Sequence, residues 1–427
     1  MKKKKSKVSR SSQNQPQTRI SKLQKYELPL KLLVLALMVI SALCVILIPW
    51  SDAEVTLVST ENLSYVRAKV LSVEEESLDY DSMETDRLVG TQEITVEILG
   101  GELKGEVVEV TNYMTRSINV YCTEGKIITL CVDLPDNAEP NYTVFNYSRG
   151  LQILGLILVF CVIVVLVGRK TGLWSLLGLI YTVIMIIFFL VKAIFSGWNS
   201  VLWTIITILI TACASLFLIC GPTKKMITSL CGTLGGTLTS ALFYVICSNI
   251  LHISGYNLDE VETLLMIDSS TGMSLIGLIL CAVLITSYGA IMDVAVSISS
   301  SLAEIHTLRP ELPGKDMFRS GLNIGRDMIG TMVNTLILAY AGEALITMIL
   351  LMGYGYGWGM LLNSDYLAME IAQGLSATVG VVLTVPGGSL FCSWMYTRGQ
   401  GKLKKEKNAA AAAGGKAVQT ARSGSSK

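Results

Sequence analysis

The sequence predicts a mainly α-helical, polytopic membrane protein. It has about eight transmembrane helices and a small extracytoplasmic β-barrel-like domain between the first and second of them. Three observations carry this. Of 427 residues, 51% are hydrophobic and 16% charged, with a mean hydropathy of +0.55, too apolar for an ordinary soluble domain. Eight apolar runs approach the ~20 residues that cross a bilayer. The one long polar stretch, 51–148, alternates in the manner of β-strands.

The first run, 30–48, follows the basic head "MKKKKSKVSR". Small residues at Ser51 and Ala53 resemble a cleavage site, but ~19 apolar residues exceed the ~7–15 of a signal-peptide core, so an uncleaved anchor is expected. The other runs lie at 151–167, 173–195, 201–220, 226–250, 273–292, 328–352 and 371–395, within a seven-helix domain spanning 151–396. With the N-terminus inside, the inner connections are "GRKTG", "GPTKK", 293–327 and the tail "RGQGKLKKEK", which hold nearly all the loop lysines and arginines. The outer connections "NLDEVET" and "NSDYLAME" hold none. The positive-inside rule then predicts cytoplasmic termini and an outward 51–148 segment.

A formal net charge of +1 hides segregation: residues 51–150 alone carry 19 Asp plus Glu against 7 Lys plus Arg. Basic residues in tails and short loops bear on orientation, so no nucleic-acid partner is expected. Within 51–148, "YVRAKVLSV", "QEITVEIL", "GEVVEVTN", "SINVYC" and "KIITLCVD" read as short strands of a closed or nearly closed barrel of the OB or SH3 kind, a folded spacer or assembly domain. The tails 1–29 and 397–427 are basic and low in complexity, predicting disorder. Eight of ten cysteines sit in apolar runs as small core residues. The other two, Cys122 and Cys131, flank "TEGKIITL", where an extracytoplasmic location permits a hairpin disulfide.

A charge in hydrocarbon is costly and marks a site to explain. Lys192 lies near the outer end of its run, where snorkelling accounts for it. Glu343 falls close to mid-depth of 328–352. In the same helix Asp327, Gly330, Thr331, Asn334, Leu338 and Ala341 form a small, polar stripe, with Glu343 about 160° away. "GTLGGT" (232–237) reads as helix packing through small residues. "TVPGGS" (384–389) predicts a helix break at Pro386, Gly387 and Gly388, tolerated where it lines a cavity. In "YGAIMDVAVSISSSLAEI" (288–305), Asp293, Ser297, Ser300, Ser301 and Glu304 share one stripe, opposite Val294, Ile298, Leu302 and Ile305. This predicts a short amphipathic helix at the cytoplasmic face, with Asp293 and Glu304 about 16 Å apart and thus no carboxylate dyad. The ladder suits a polar path or a contact with Arg309, Arg319 or Arg326.

No histidine–cysteine cluster, H-E-x-x-H, G-x-S-x-G elbow or Walker motif is present, so no metal, cofactor, enzymatic activity or self-contained nucleotide-driven pump is expected. The stretches "YGAIMDVAVSISSSLAEI", "LRPEL" and "GLNIGRDMIGTMVNTLILAYAGEAL", together with a β-rich segment ending near Tyr147 and a following block of seven spans, resemble the YibE/F family of bacterial multi-pass membrane proteins. The similarity covers most of 30–396, most specifically 288–345. It implies a plasma-membrane protein, with transport or permease roles suggested for the family by analogy. It marks Asp293 and Ser297 in "MDVAVS", and Arg326, Asp327, Asn334 and Glu343 in "GRDMIGTMVNTLILAYAGE". The expectation is a transporter or permease for a small solute or ion. Its polar path would run through Asp293, Ser297, Ser301, Glu304, Arg326, Asp327, Asn334 and Glu343, in contact with the lipid bilayer and with a second copy or a paired membrane subunit. The alternative is a non-transporting envelope protein whose outer domain binds a partner or the cell wall.

Overall fold

The computed structural model describes residues 17–47, 62–81, 84–134, 140–255 and 261–398. They form two compact units, 54–167 and the remainder of the chain. Most of the two predicted disordered tails lies outside the described residues. The exception is 17–29, which belongs to a helix: the first helix, α1 (Gln17–Leu47), reaches back well before the apolar run.

The first unit holds one five-stranded antiparallel sheet in the order β3-β2-β1-β4-β5. Its strands are β1 (Leu63–Asp81), β2 (Glu84–Ile98), β3 (Val107–Met114), β4 (Ile127–Asp133) and β5 (Asn141–Tyr147). The sheet curls into a half-barrel with β3 and β5 as its edges, barrel-like as predicted but without full closure. Alternation sets the core: Val66, Ala68, Val70, Ile94, Val96, Ile98, Ile128, Leu130 and Val132 all point inward. Predicted strand "SINVYC" is not a strand. Side-chain amides hold it instead: buried Asn112 donates to the Val120 carbonyl at 2.7 Å, and the Gln92 Oε1 accepts from the Cys122 N–H at 2.9 Å. Arg116 forks onto Asp81 at 2.7 and 2.9 Å and closes the end of this segment.

The predicted Cys122–Cys131 disulfide is absent, and both thiols are free. Cys122 is fully buried in the core, whereas Cys131 sits on the opposite face of β4, between Tyr65 and Thr143. Strand alternation therefore keeps the two sulfurs apart. Burial pushes the Cys122 thiol up to about 11, from an unfolded value near 9. The native state holds that proton as pH rises from about 9 to about 11, so this group's contribution to stability is constant below the window and is lost through it. At neutral pH a membrane-impermeant maleimide is expected to modify Cys131 at least tenfold faster than Cys122, checked by peptide mass mapping without reduction. Equal rates would contradict the placement.

The second unit is helical. α2 (Gly150–Ile184) is divided between the units at 167/168, and after it come a π-turn (Met185–Leu190), α3 (Val191–Phe195), α4 (Ser200–Cys220), α5 (Lys224–Leu251) and α6 (Val261–Thr271). Then follow α7 (Leu275–Leu308), α8 (Gly314–Gly353), α9 (Trp358–Leu362) and α10 (Asp365–Thr397). Seven helices among the described residues are long and apolar enough to cross a membrane. Two predicted runs merge in one of them, 150–195, whose 46 residues make ~69 Å and exceed twice the ~30 Å of hydrocarbon. Arg169 breaks its geometry at φ 49°, ψ −132°, within the predicted loop "GRKTG". Lys192 is half-buried, and its Nζ donates to the Val45 carbonyl in the last turn of α1 at 3.3 Å.

Candidate functional site

Helices α5, α7, α8 and α10 pack on one another through small residues. A Cβ added at Gly380 would lie 2.7 Å from the Ser240 Cβ and 2.9 Å from the Ile291 Cδ1. Gly236 abuts Thr384 and Ile291, Gly232 abuts Ala295 and Gly388, Gly325 abuts Val385, and Gly321 abuts Ser389 and Leu302. Without a hydrophobic drive between helices in lipid, such close approach is what brings van der Waals contact. Threonine hydroxyls in the seam turn back on their own helices: Thr233, Thr237, Thr378 and Thr384 each donate to the carbonyl four residues earlier at 2.7–2.9 Å.

The predicted break at Pro386, Gly387 and Gly388 does not form, and α10 runs unbroken to Thr397. Proline removes one backbone donor, but Val385 and Gly388 on either side are clamped by Gly325 and Gly232. Tertiary packing holds the helix through the defect. The motif still borders a cavity. Gly387 and Gly388 face Gly235 and Gly236 across a cleft of about 610 Å³, completed by Thr239, Phe391 and Trp394. The two glycine motifs are therefore opposite walls of one space, and Gly235 meets nothing within 4 Å.

Segment 293–305 is not a separate surface helix. It continues the transmembrane run within the 34 residues of α7. Its apolar stripe Val294, Ile298 and Leu302 is fully buried against Met317 of α8 and Val381, Val385 and Cys392 of α10, so the core, not the membrane surface, takes that face. The serine ladder offers few free hydroxyls: Ser300 donates to Val296 at 2.6 Å and Ser301 to Ser297 at 3.0 Å. Ser297 is half-buried, while Asp293 and Glu304 are exposed. Arg326 donates to Asn323 at 3.2 Å, and among the described residues no ion pair links Arg309, Arg319 or Arg326 to Asp293, Glu304 or Asp327.

Contacts of the seam act as a ruler along the bundle. Ile291 lies level with Thr384, and Ala295 with Gly388, which places Asp293 level with Pro386. Gly325 lies level with Val385 and runs antiparallel, which places Asp327 near Leu383. The two aspartates thus share a depth within ~5 Å, at the C-terminal end of the apolar run of α7 and the N-terminal end of that of α8. Asp293, Asp327 and Asn334 are exposed on faces turned from the seam, and none of them lines the glycine cleft. The predicted single polar path is not assembled from these residues within one chain.

Glu343 is exposed and lines neither cavity. Glu370, assigned from sequence to the outer loop "NSDYLAME", lies in the second turn of α10, where Glu343 acts on it as a like charge. It lines a second cavity of about 220 Å³ between α8 and α10, with Tyr340, Ala344, Leu367 and Gly374. The only sequence signal was its place one turn before Gly374, on the face that meets Tyr340.

No curated protein and no solved structure matches the chain. The model of the family described as YibE/F-like protein matches residues 156–398. The match begins inside α2 and takes in the whole seam, both cavities and every marked acid, but neither α1 nor the β domain. It covers more than half of the sequence, and the chain belongs to the YibE/F-like family.

Proposed function

We propose that this membrane protein is a transporter or permease for a small solute or ion, without an ATPase of its own. In this reading the chain crosses a bacterial plasma membrane eight times, the 150–195 helix crossing twice about Arg169. Both termini are cytoplasmic and the β domain is outside. The asymmetry of basic loop residues supports the orientation. The observation that carries the function is the glycine-walled cleft of about 610 Å³, set at the depth of Asp293 and Asp327 in a bundle otherwise packed closely by small residues. Bare backbone on both walls leaves room for a solute, and the threonine hydroxyls and an indole supply the few polar contacts typical of a small-molecule site.

Proteoliposomes holding the full chain, given inward gradients of a panel of small solutes and monitored by stopped-flow light scattering, test this. At least one solute is expected to enter faster than into protein-free vesicles. Gly235→Trp, which fills the cleft at a position with no packing neighbour, is expected to cut that rate at least tenfold. Deleting 51–148 should leave it within about twofold. Entry no faster than into empty vesicles across the panel would refute transport, and the envelope-binding reading would then take its place. That reading draws support from the exposed aromatics Tyr65 and Phe145, stacked edge-on at 4.9 Å on the outer face of the β domain.

A further inference from the structure

We propose that Glu370 of α10 binds a proton in the cavity it shares with Tyr340 of α8, with the exposed Glu343 of α8 as the like charge nearby. The inference deepens the transport reading, since it names the coupling ion, but its test does not depend on uptake. The placement comes from packing. A Cβ on Gly374 would lie 3.2 Å from the Tyr340 ring, so that ring lies flat on α10 at Gly374. From this contact Glu370 lies four residues outward along α10, and Glu343 three residues outward along the antiparallel α8. The two carboxylates therefore stand level within ~2 Å along the axis.

Two polar atoms there lack a protein partner. The Glu370 Oε2 and the Tyr340 hydroxyl are both buried without a hydrogen bond, although Tyr340 is only 8% exposed and lines the same cavity as Glu370. Thr286 of α7 approaches the phenol; its own proton goes to the Ala282 carbonyl at 2.8 Å, so toward Tyr340 it offers only an acceptor, and Glu370 Oε2 stays without a donor. Buried oxygens left unpaired are costly, and native structures satisfy nearly all of them. Among the described residues the charged neighbour of Glu370 is Glu343, a like charge. Against the other side of α10, α5 sets Tyr244 and Cys247 beside Met369 and Ala372; α9 brings no titratable group.

A carboxylate oxygen buried in a cavity with no donor, and with a like charge nearby, is costly to keep ionised, and a proton held on Glu370 removes that cost. The added hydrogen removes the charge and turns a stranded acceptor into a donor inside the cavity. A metal cation fits worse: hard cations take about six or more oxygens, and the rest of this wall is aliphatic.

Dicyclohexylcarbodiimide adds across a protonated carboxyl and stays on it with its full mass, so it reads the bound proton directly. The purified full-length protein would be treated over a pH series and the adduct located by peptide mass spectrometry. The peptide bearing Glu370 is expected to label, several-fold faster at acidic than at alkaline pH, and equally in sodium and choline chloride. Glu343→Gln should slow labelling at a given pH several-fold, because it removes the like charge that favours protonation. Absence of the adduct on folded wild-type protein at every pH would overturn the proposal, as would protection by sodium, which would mark a cation site. Labelling indifferent to Glu343→Gln would overturn the coupled pair. Labelling without uptake would leave the site standing and refute transport alone.

Discussion

Gly236→Leu is expected to abolish the folded helical unit, while Gly235→Leu, one residue away, is expected to leave it intact. At Gly236 the first added carbon would collide with Thr384 of α10 and Ile291 of α7, two helices at once. Overpacking usually costs ~1–3 kcal/mol, and more where no neighbour is free to move. Thr384 is held by its bond to Gly380 at 2.7 Å, and Ile291 is fully buried, so neither can yield without separating the helices. At Gly235 the same substitution enters open space and removes a glycine from a helix interior, a change worth about 1 kcal/mol in its favour. Thermal unfolding of the purified proteins, followed by size-exclusion monodispersity, separates the two. Equal midpoints would mean that the close approach of α5 to α10 and α7 is not what holds the unit together.

Gln92→Ala should destabilise the β domain by about 3 kcal/mol. Gln92 is fully buried and joins four groups: its amide donates to Glu76 at 2.7 Å and to the Cys122 carbonyl at 3.1 Å, and its oxygen accepts from Asn112 at 3.0 Å and from the Cys122 N–H at 2.9 Å. Truncation strands the Cys122 N–H and carbonyl in an apolar core, together with one Asn112 amide hydrogen while the other keeps Val120, and each stranded group costs ~1–3 kcal/mol. The peptide around Cys122 has no strand ladder to fall back on. Pulse proteolysis of the full chain in denaturant should show the β domain cut at distinctly lower concentration in the variant, with the helical unit's cleavage unchanged. If the β domain resists proteolysis like wild type, the amide network is not what holds that peptide in place.

Glycine and proline were the sites where local reading and structure parted. Proline at 386 carries a strong local signal for a break, yet α10 passes through it because Gly325 and Gly232 hold its flanks. "GTLGGT" looked uniform, but its glycines divide: Gly232 and Gly236 enter the seam and Gly235 opens the cleft. Such a division depends on which helix lies opposite. The same holds for the acids. Asp293 and Asp327 were legible as the ends of apolar runs and do share a depth, but their faces turn away from both cavities. Glu370 looked like an ordinary loop acid because the N-terminal turns of α10 are polar.

Composition and period alone determined that this chain is a helical membrane protein with an alternating β segment after its first helix, since those properties follow from hydropathy and local geometry in each stretch by itself. Register and orientation across helices decided the rest: that α7 continues past Asp293, that Cys122 and Cys131 lie on opposite faces of the sheet, and that Glu370 stands level with Glu343. These relations join residues from different elements, through contacts a fraction of a helical turn wide, and no single stretch of sequence encodes them.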